Sequence, residues 1–261
     1  MKNLLFISLL SVFSLNVYAQ DNNSEYEMKP DEKLGYIIDK NGNKIEGIVR
    51  LAEEKYPWEN QKKVKFIASS DIDKSKKRQK LKTFGVDDIK GYMAVDNNTE
   101  RRFEIIKYTN TKEGLNTATG GLSGGLKTFN NLTKNTQFAE LVADGKIKVY
   151  KLYGFPTGFA AGSQIAVAEE ETERLRENPS YIYSKNGGKP EELTLEKAKT
   201  IVADCPLVKG KIANGDYASL KDDTKKRSGI GKLIKSTVDK AMSDNLSIVN
   251  EVITDYNENC K

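Results

Sequence analysis

The sequence predicts an α+β fold, with an antiparallel β-rich N-terminal region (a sandwich or a partly open barrel) followed by a helical C-terminal region. Three observations predict it. Asn41-Gly42 and Asp144-Gly145 each lie between apolar runs, the strongest short-range signal of a β-hairpin. From Glu191 onward the apolar spacing changes from a period of two to that of a helix. Strands precede helices without alternating with them, which argues against a parallel α/β sheet.

Residues 20–32 are polar and aperiodic and read as a flexible lead-in, so the fold begins near Lys33. Leu34 to Asp39 and Lys44 to Leu51 form the first hairpin around Asn41-Gly42. In its second strand Ile45, Gly47, Val49 and Leu51 share one face, while Lys44, Glu46, Ile48 and Arg50 share the other. Strands are then expected over Lys63 to Ala68, Leu81 to Phe84, Ile89 to Val95, Arg102 to Tyr108, Phe138 to Ala143, Lys146 to Tyr153 and Ser180 to Ser184. Along Lys146 to Tyr153 the apolar positions shift from Ile147 and Val149 to Tyr150 and Leu152, and a bulge near Tyr150 would explain the change of phase. A stretch rich in Gly, Thr and Asn near 110–135, including Gly120 to Gly125, reads as a long surface loop inside a β-rich domain spanning 33–186.

The helical region spans 189–261. Leu195, Ala198, Val202 and Cys205 form its first stripe, and Pro206 opens a short helix that Gly215 can end. Ile230, Leu233, Ile234, Val238 and Met242 form the next stripe, and Leu246, Val249, Val252, Ile253 and Tyr256 the last.

Lys2, the apolar run Leu4 to Val12 and the small residue Ala19 have the layout of a signal peptide over residues 1–19, cleaved between Ala19 and Gln20. The apolar run is too short for a membrane span, which takes about 20 residues. No later segment reaches that length, so the processed chain is expected to be periplasmic or secreted, without a transmembrane span. Loss of Lys2 lowers the formal charge from +5 to +4, too mild a balance to suggest a nucleic-acid partner. An oxidising compartment permits a bridge between the two cysteines, Cys205 and Cys260, which would pin the C-terminus to the helical region. Two free thiols or an intermolecular link are the alternatives.

Gly35-Tyr36-Ile37-Ile38-Asp39 with Ile45-Glu46-Gly47, then Phe84-Gly85-Val86-Asp87-Asp88-Ile89-Lys90-Gly91-Tyr92, Asp144-Gly145-Lys146-Ile147, Asp204-Cys205-Pro206-Leu207 and Asp255-Tyr256-Asn257 recur in a recognisable order. In these motifs the chain resembles a loose family of uncharacterised exported proteins of Bacteroidota-type bacteria. The resemblance implies an envelope or secreted protein. It carries no agreed activity and transfers no catalytic residue.

The composition excludes much catalytic chemistry. With no histidine in 261 residues, neither a Ser-His-Asp triad, a Cys-His pair nor an HExxH zinc site can form. Two cysteines are too few for a four-thiolate zinc site or a cysteine-ligated iron–sulfur cluster. Paired carboxylates remain, as used in glycoside hydrolysis, but 37 acidic residues give no way to choose a pair.

The dense basic cluster is Lys74, Lys76, Lys77, Arg78, Lys80 and Lys82; Lys76, Lys77 and Arg78 are its candidate contacts to phosphates of an envelope polymer or to anionic lipid, against the simpler account of a solvated hairpin tip. Trp58 and Tyr56 are candidate ligand contacts as a sugar-stacking surface, against an anchoring role at the edge of a strand. Asp39, Asn41 and Asn43 have a superficial likeness to a calcium loop that the hairpin turn accounts for fully. Glu169, Glu170, Glu171 and Glu173 beside Arg174 and Arg176 read as a self-compensated exposed segment. Gly229-Ile230-Gly231-Lys232 lacks the remainder of a phosphate-binding loop.

The resulting expectation is a non-enzymatic, envelope-associated binding or scaffolding module, without a cofactor or metal, whose partner is an envelope protein or polymer. The alternatives are a carboxylate-based enzyme acting on a glycan and a β domain holding a small apolar ligand.

Overall fold

The computed structural model describes residues 26–108, 136–155, 169–220 and 246–260. The expected leader with its Ala19-Gln20 junction, residues 20–25 of the lead-in, the Gly-rich stretch near 110–135, the Ile230 to Met242 stripe and Gly229-Ile230-Gly231-Lys232 lie outside them.

Among the described residues ten strands form one antiparallel sheet. They are β1 (Glu32–Asp39), β2 (Lys44–Arg50), β3 (Lys63–Ala68), β4 (Lys82–Gly85), β5 (Ile89–Asp96), β6 (Thr99–Lys107), β7 (Thr136–Ala143), β8 (Ile147–Leu152), β9 (Ser180–Lys185) and β10 (Glu191–Glu192). Their order across the sheet is β10-β9-β8-β7-β6-β5-β1-β2-β3-β4. The chain thus makes a meander from β1 to β4, returns to lay β5 against β1, and meanders outward again.

That return fixes the curvature. Four peptide units separate Gly85 at the end of β4 from Ile89 at the start of β5, and they reach at most about 14 Å. In a flat sheet β4 and β5 would stand four strand spacings apart, about 19 Å. The β5-β1-β2-β3-β4 portion must therefore curl. Its concave face, continued by β6 and β7, holds Ile37, Val49, Leu51, Val64, Phe66, Tyr92, Phe103 and Phe138, with the Tyr92 and Phe103 rings stacked 4.4 Å apart and Phe138 edge-on to Tyr92 at 5.2 Å.

The other half of the sheet is flanked by helices. Residues 191–192, expected to begin the first helix, instead pair with Ile182 and Tyr183 as β10. Helix α2 (Leu195–Ile201) starts only at Thr194, whose side chain accepts from the Lys197 N–H. Helix α3 (Pro206–Asn214) has Pro206 in its first turn and Gly215 in the left-handed conformation at its end, as the sequence suggests. Residues 246–259 are helical, with a π-turn over Val249–Ile253, and end as α4 (Thr254–Asn259). Ile147, Val149, Tyr181 and Tyr183 of the sheet share a core with Leu193, Ala198, Val202, Val208, Ile248, Val252, Ile253 and Tyr256. Leu246 stands exposed at the start of the last segment.

This packing explains the phase change in β8 without a bulge in that strand. Ile147 and Val149 face the helical core, whereas Tyr150 and Leu152 join Ile106, Ala139 and Ile182 on the opposite side, so both faces of β8 are apolar. The register irregularity lies across the ladder in β7, between Leu141 and Ala143.

Three further details differ from expectation. Glu32 belongs to β1 and is buried, accepting from the Tyr26 hydroxyl at 2.6 Å, the Lys29 N–H at 3.0 Å and Arg50, so this part of the lead-in is tied down. Ile48, on the face assigned to polar residues, is buried beside Ile67, its cross-strand neighbour. Glu169–Glu177 forms a helix, here α1, which buries Thr172 and Leu175, three positions apart on one side.

Two side-chain amides, half-buried Asn257 and buried Gln61, clip the ends of β8. The Asn257 Oδ1 accepts from the Ile147 N–H at 2.9 Å, and its Nδ2 donates to the Ile147 carbonyl at 2.8 Å. Gly145 permits this approach, because a Cβ there would stand 2.5 Å from the Asn257 Cγ. Gln61 does the same just past the strand, donating to the Tyr153 carbonyl at 2.9 Å and accepting from the Tyr153 N–H. Asn257→Ala strands both polar groups of Ile147 in an interior site and is expected to lower the unfolding free energy by about 1–3 kcal/mol. Asn257→Asp keeps an acceptor but loses the donor and faces the carbonyl with a charge, so it should be no better. Urea denaturation of both variants checks this.

Candidate functional site

The concave side of the sheet changes character along its length. Between the aromatic interior around Tyr92 and the helical core lies a polar stretch, where Glu140 of β7 stands opposite Lys151 of β8 and Lys151 opposite Tyr181 of β9. A cleft of about 290 Å³ opens over this stretch. Arg101, Glu140, Lys151 and Tyr153 line it from the sheet, Ala52, Glu53, Glu54, Pro57 and Asn60 from the segment after β2, and Arg176 from α1.

The sequence builds the cleft wall as a plug. A short 3-10 turn, Pro57–Gln61, packs against β3 and β7 and buries Pro57, Trp58, Asn60 and Gln61. The Tyr92 hydroxyl donates to the Asn60 carbonyl at 2.6 Å, and the Asn60 Oδ1 accepts from the Ala52 N–H at 2.8 Å. The turn is thereby joined to the aromatic interior on one side and to the cleft rim on the other.

Two charges of the cleft floor are paired with each other. Arg101 donates to Glu140 through Nε at 2.7 Å and Nη2 at 3.0 Å, a two-pronged contact, and its Nη1 lies 3.5 Å from Asp96, which Lys33 holds at 2.9 Å. Burial disfavours the charge on Arg101, yet Glu140 more than offsets this and holds the guanidinium above its ordinary pKa. The Lys33 ammonium and then Arg101 hold Asp96 below the usual carboxylate range, against its partial burial. Arg101 is thus fixed as a cation against Glu140. Glu53 and Glu54 are exposed at the rim.

Trp58 is 1% exposed, so its ring is part of the plug rather than a stacking face for a sugar. Tyr56 is exposed and meets Trp58 edge to face, with centroids 5.8 Å apart; it is the member of the pair available to a ligand. Asp39 is consumed by the β1–β2 turn, accepting from the backbone of Asn41 at 2.9 Å and Asn43 at 2.8 Å. Among the described residues no cluster of acidic or sulfur groups is arranged to hold a metal ion.

Lys76, Lys77 and Arg78 sit apart from the cleft, in the connection between β3 and β4, and are exposed. This connection is internally braced. The Asp73 Oδ1 accepts from the Ser75 N–H at 3.1 Å and its hydroxyl at 2.7 Å, the Lys76 ammonium lies 2.9 Å from Oδ2, and the Gln79 Nε2 donates to the Asp73 carbonyl at 2.6 Å. The Ser75 hydroxyl, the Lys76 ammonium and the Ser75 N–H draw the Asp73 carboxyl down to about 2. Because the pKa is depressed in the folded loop, this bracing is fully present above the ordinary carboxylate value and is lost as pH falls through about 2. The Ser75 amide resonance is therefore expected to hold its position from neutral pH to about 4 and to move below about 3, followed by NMR titration.

The sequence drew attention to Trp58 and Tyr56 but missed the cleft beside them. Arg101, Glu140 and Lys151 come from three strands and Tyr153 from just past the third, separated by up to about 50 positions, and no local pattern joins them. A charged residue on the inner face of a strand, as Arg101 is two places before Phe103, was the available signal. No known protein family, curated protein or solved structure matches the chain, so its function has to be argued from this geometry.

Proposed function

We propose that the protein is an exported, non-enzymatic binding or scaffolding module of the cell envelope, and that the cleft between the 52–60 segment, the sheet and α1 receives an envelope protein segment or polymer. The observation that carries this reading is the prearranged set of paired charges, Arg101 with Glu140 and Asp96 with Lys33, on a braced floor. Groups held in place before the ligand arrives reduce the ordering cost of binding. Both signs of charge, the Tyr56 ring and the rim carboxylates suit a polar chain bearing hydroxyl and charged groups. The half-open curl of β1 to β5 serves as the support: its interior is filled by its own aromatic side chains, which weighs against a small apolar ligand inside it. The disulfide described below and the expected leader fit export.

A glycan-acting enzyme is the second reading, favoured by the presence of Glu53, Glu54 and Glu140 in one cleft. It needs two carboxylates facing each other across a scissile bond, and both oxygens of Glu140 are taken up by Arg101. Photo-cross-linking from position 54 in the native envelope tests the choice. Recovery of one defined envelope protein or polymer supports the binding module. Absence of any adduct, together with turnover of a glycan substrate that Glu54→Gln abolishes, would establish the enzyme instead.

A further inference from the structure

Residues 62–82, comprising β3, the braced loop and the start of β4, carry nine Lys or Arg against two Asp, a local charge of +7 in a chain whose total is +5. The remainder of the molecule is therefore slightly acidic, and its positive potential is concentrated on one margin of the sheet. Lys74, Lys76, Lys77, Arg78 and Lys80 are exposed at the loop, and Lys63 and Lys65 extend the charge along the face of β3 opposite its buried Val64 and Phe66.

The form of this margin narrows the partner. Neither the cleft nor a second depression of about 300 Å³ around Gly91 includes a residue of the loop. Between Lys74 and Lys82 there is no aromatic residue, so bases of a single-stranded nucleic acid would have nothing to stack on. Strand β4 is an edge, but it is four residues long and its Gly85 N–H is already taken by Asp88 at 2.7 Å, leaving little ladder for an added peptide strand. What remains is a protruding, ordered group of cations with half-buried Ile72 and Leu81 at its base. That shape fits an extended anionic plane.

We propose that the β3–β4 hairpin docks on a phosphate-rich lipid surface through Lys74, Lys76, Lys77, Arg78 and Lys80, and that it is the means by which the protein is held at the envelope. This deepens the envelope reading above and rests on it only for where such a surface is met. The loop need not fold on contact, because Asp73 and Gln79 already order it. Binding is electrostatic, so it weakens as salt shortens the screening length.

Co-sedimentation of the processed chain with vesicles of phosphatidylcholine, with and without phosphatidylglycerol, tests the proposal. Lys74→Glu/Lys77→Glu/Arg78→Glu leaves the Asp73 bracing intact, and Lys40→Glu/Lys189→Glu/Lys209→Glu makes the same change of net charge elsewhere on exposed positions. The expected result is salt-sensitive binding to the anionic vesicles only, reduced roughly 100-fold or more by the hairpin variant and largely retained by the control. Equal losses in the two variants would reduce the effect to net charge and overturn the docking site. A wild-type chain that ignores anionic vesicles but is retained by immobilised polyglutamate would overturn the lipid surface in favour of an acidic protein, and binding to neither would overturn both. None of these outcomes depends on the cleft, which cross-linking from position 54 examines separately.

Discussion

Trp58→Ala is expected to lower the unfolding free energy by about 3–5 kcal/mol, the range for deleting a large aromatic side chain from an interior. The residue is 1% exposed in a turn whose other buried members, Pro57, Asn60 and Gln61, close one end of the aromatic interior. Removing the indole leaves a void between β3 and β7 that the turn cannot readily fill, because Gln61 and Asn60 hold it by hydrogen bonds at Tyr153, Ala52 and Tyr92. Trp58→Phe should cost much less, since the buried indole N–H has no hydrogen-bond partner to lose among the described residues. Tyr56→Ala should hardly alter stability, because that ring is exposed at the rim. Urea denaturation of the three variants gives the order directly; a mild Trp58→Ala would mean that the turn is not a plug. If the cleft binds as proposed, Tyr56→Ala weakens binding without unfolding, whereas Trp58→Ala weakens it through the fold.

The contrast between these neighbours shows what the sequence could and could not disclose. Strand positions were legible because Asn41-Gly42 and Asp144-Gly145 mark the turns and the apolar residues between them alternate. The C-terminal helices were legible from Pro206, Gly215 and the spacing of Val249, Val252 and Tyr256. Strand order was not, since the pairing of β5 with β1 and the resulting curl follow from a three-residue connection whose effect appears only when the ladder is assembled. Helix α1 was hidden by its charge, Thr172 and Leu175 being its buried positions among the described side chains. The cleft was hidden for a different reason. Arg101 and Glu140 look like surface residues of two unrelated strands until the register of β6 and β7, which sets Glu140 opposite Phe103, makes them diagonal neighbours on one face.

Reduction of the disulfide is expected to cost about 4 kcal/mol without abolishing the fold. The structure joins Cys205, at the start of α3, to Cys260, with Cα atoms 5.8 Å apart, and closes a loop of 55 residues. In the chain-entropy model, opening a loop of this length in the denatured state gives that cost. The folded state should persist because the same region has three independent fastenings to the rest of the molecule. Asn257 is hydrogen-bonded to Ile147 in the sheet. Asp255 accepts from Lys211 at 2.7 Å, from Asn259 and from the Tyr217 hydroxyl; burial pushes its carboxyl up, but these partners hold it below the usual carboxylate range. Asp204 accepts from Lys185 at 2.7 Å and from the Tyr256 hydroxyl at 3.1 Å, linking β9 to α4. Cys205→Ser/Cys260→Ser should therefore show an unchanged far-ultraviolet dichroism spectrum and a lower urea midpoint. Adding Asn257→Ala to it should lose more than the two effects summed, because only the Asp255 and Asp204 contacts then hold the C-terminal segment. Strict additivity would show that the bridge and the amide clip act on separate parts of the fold.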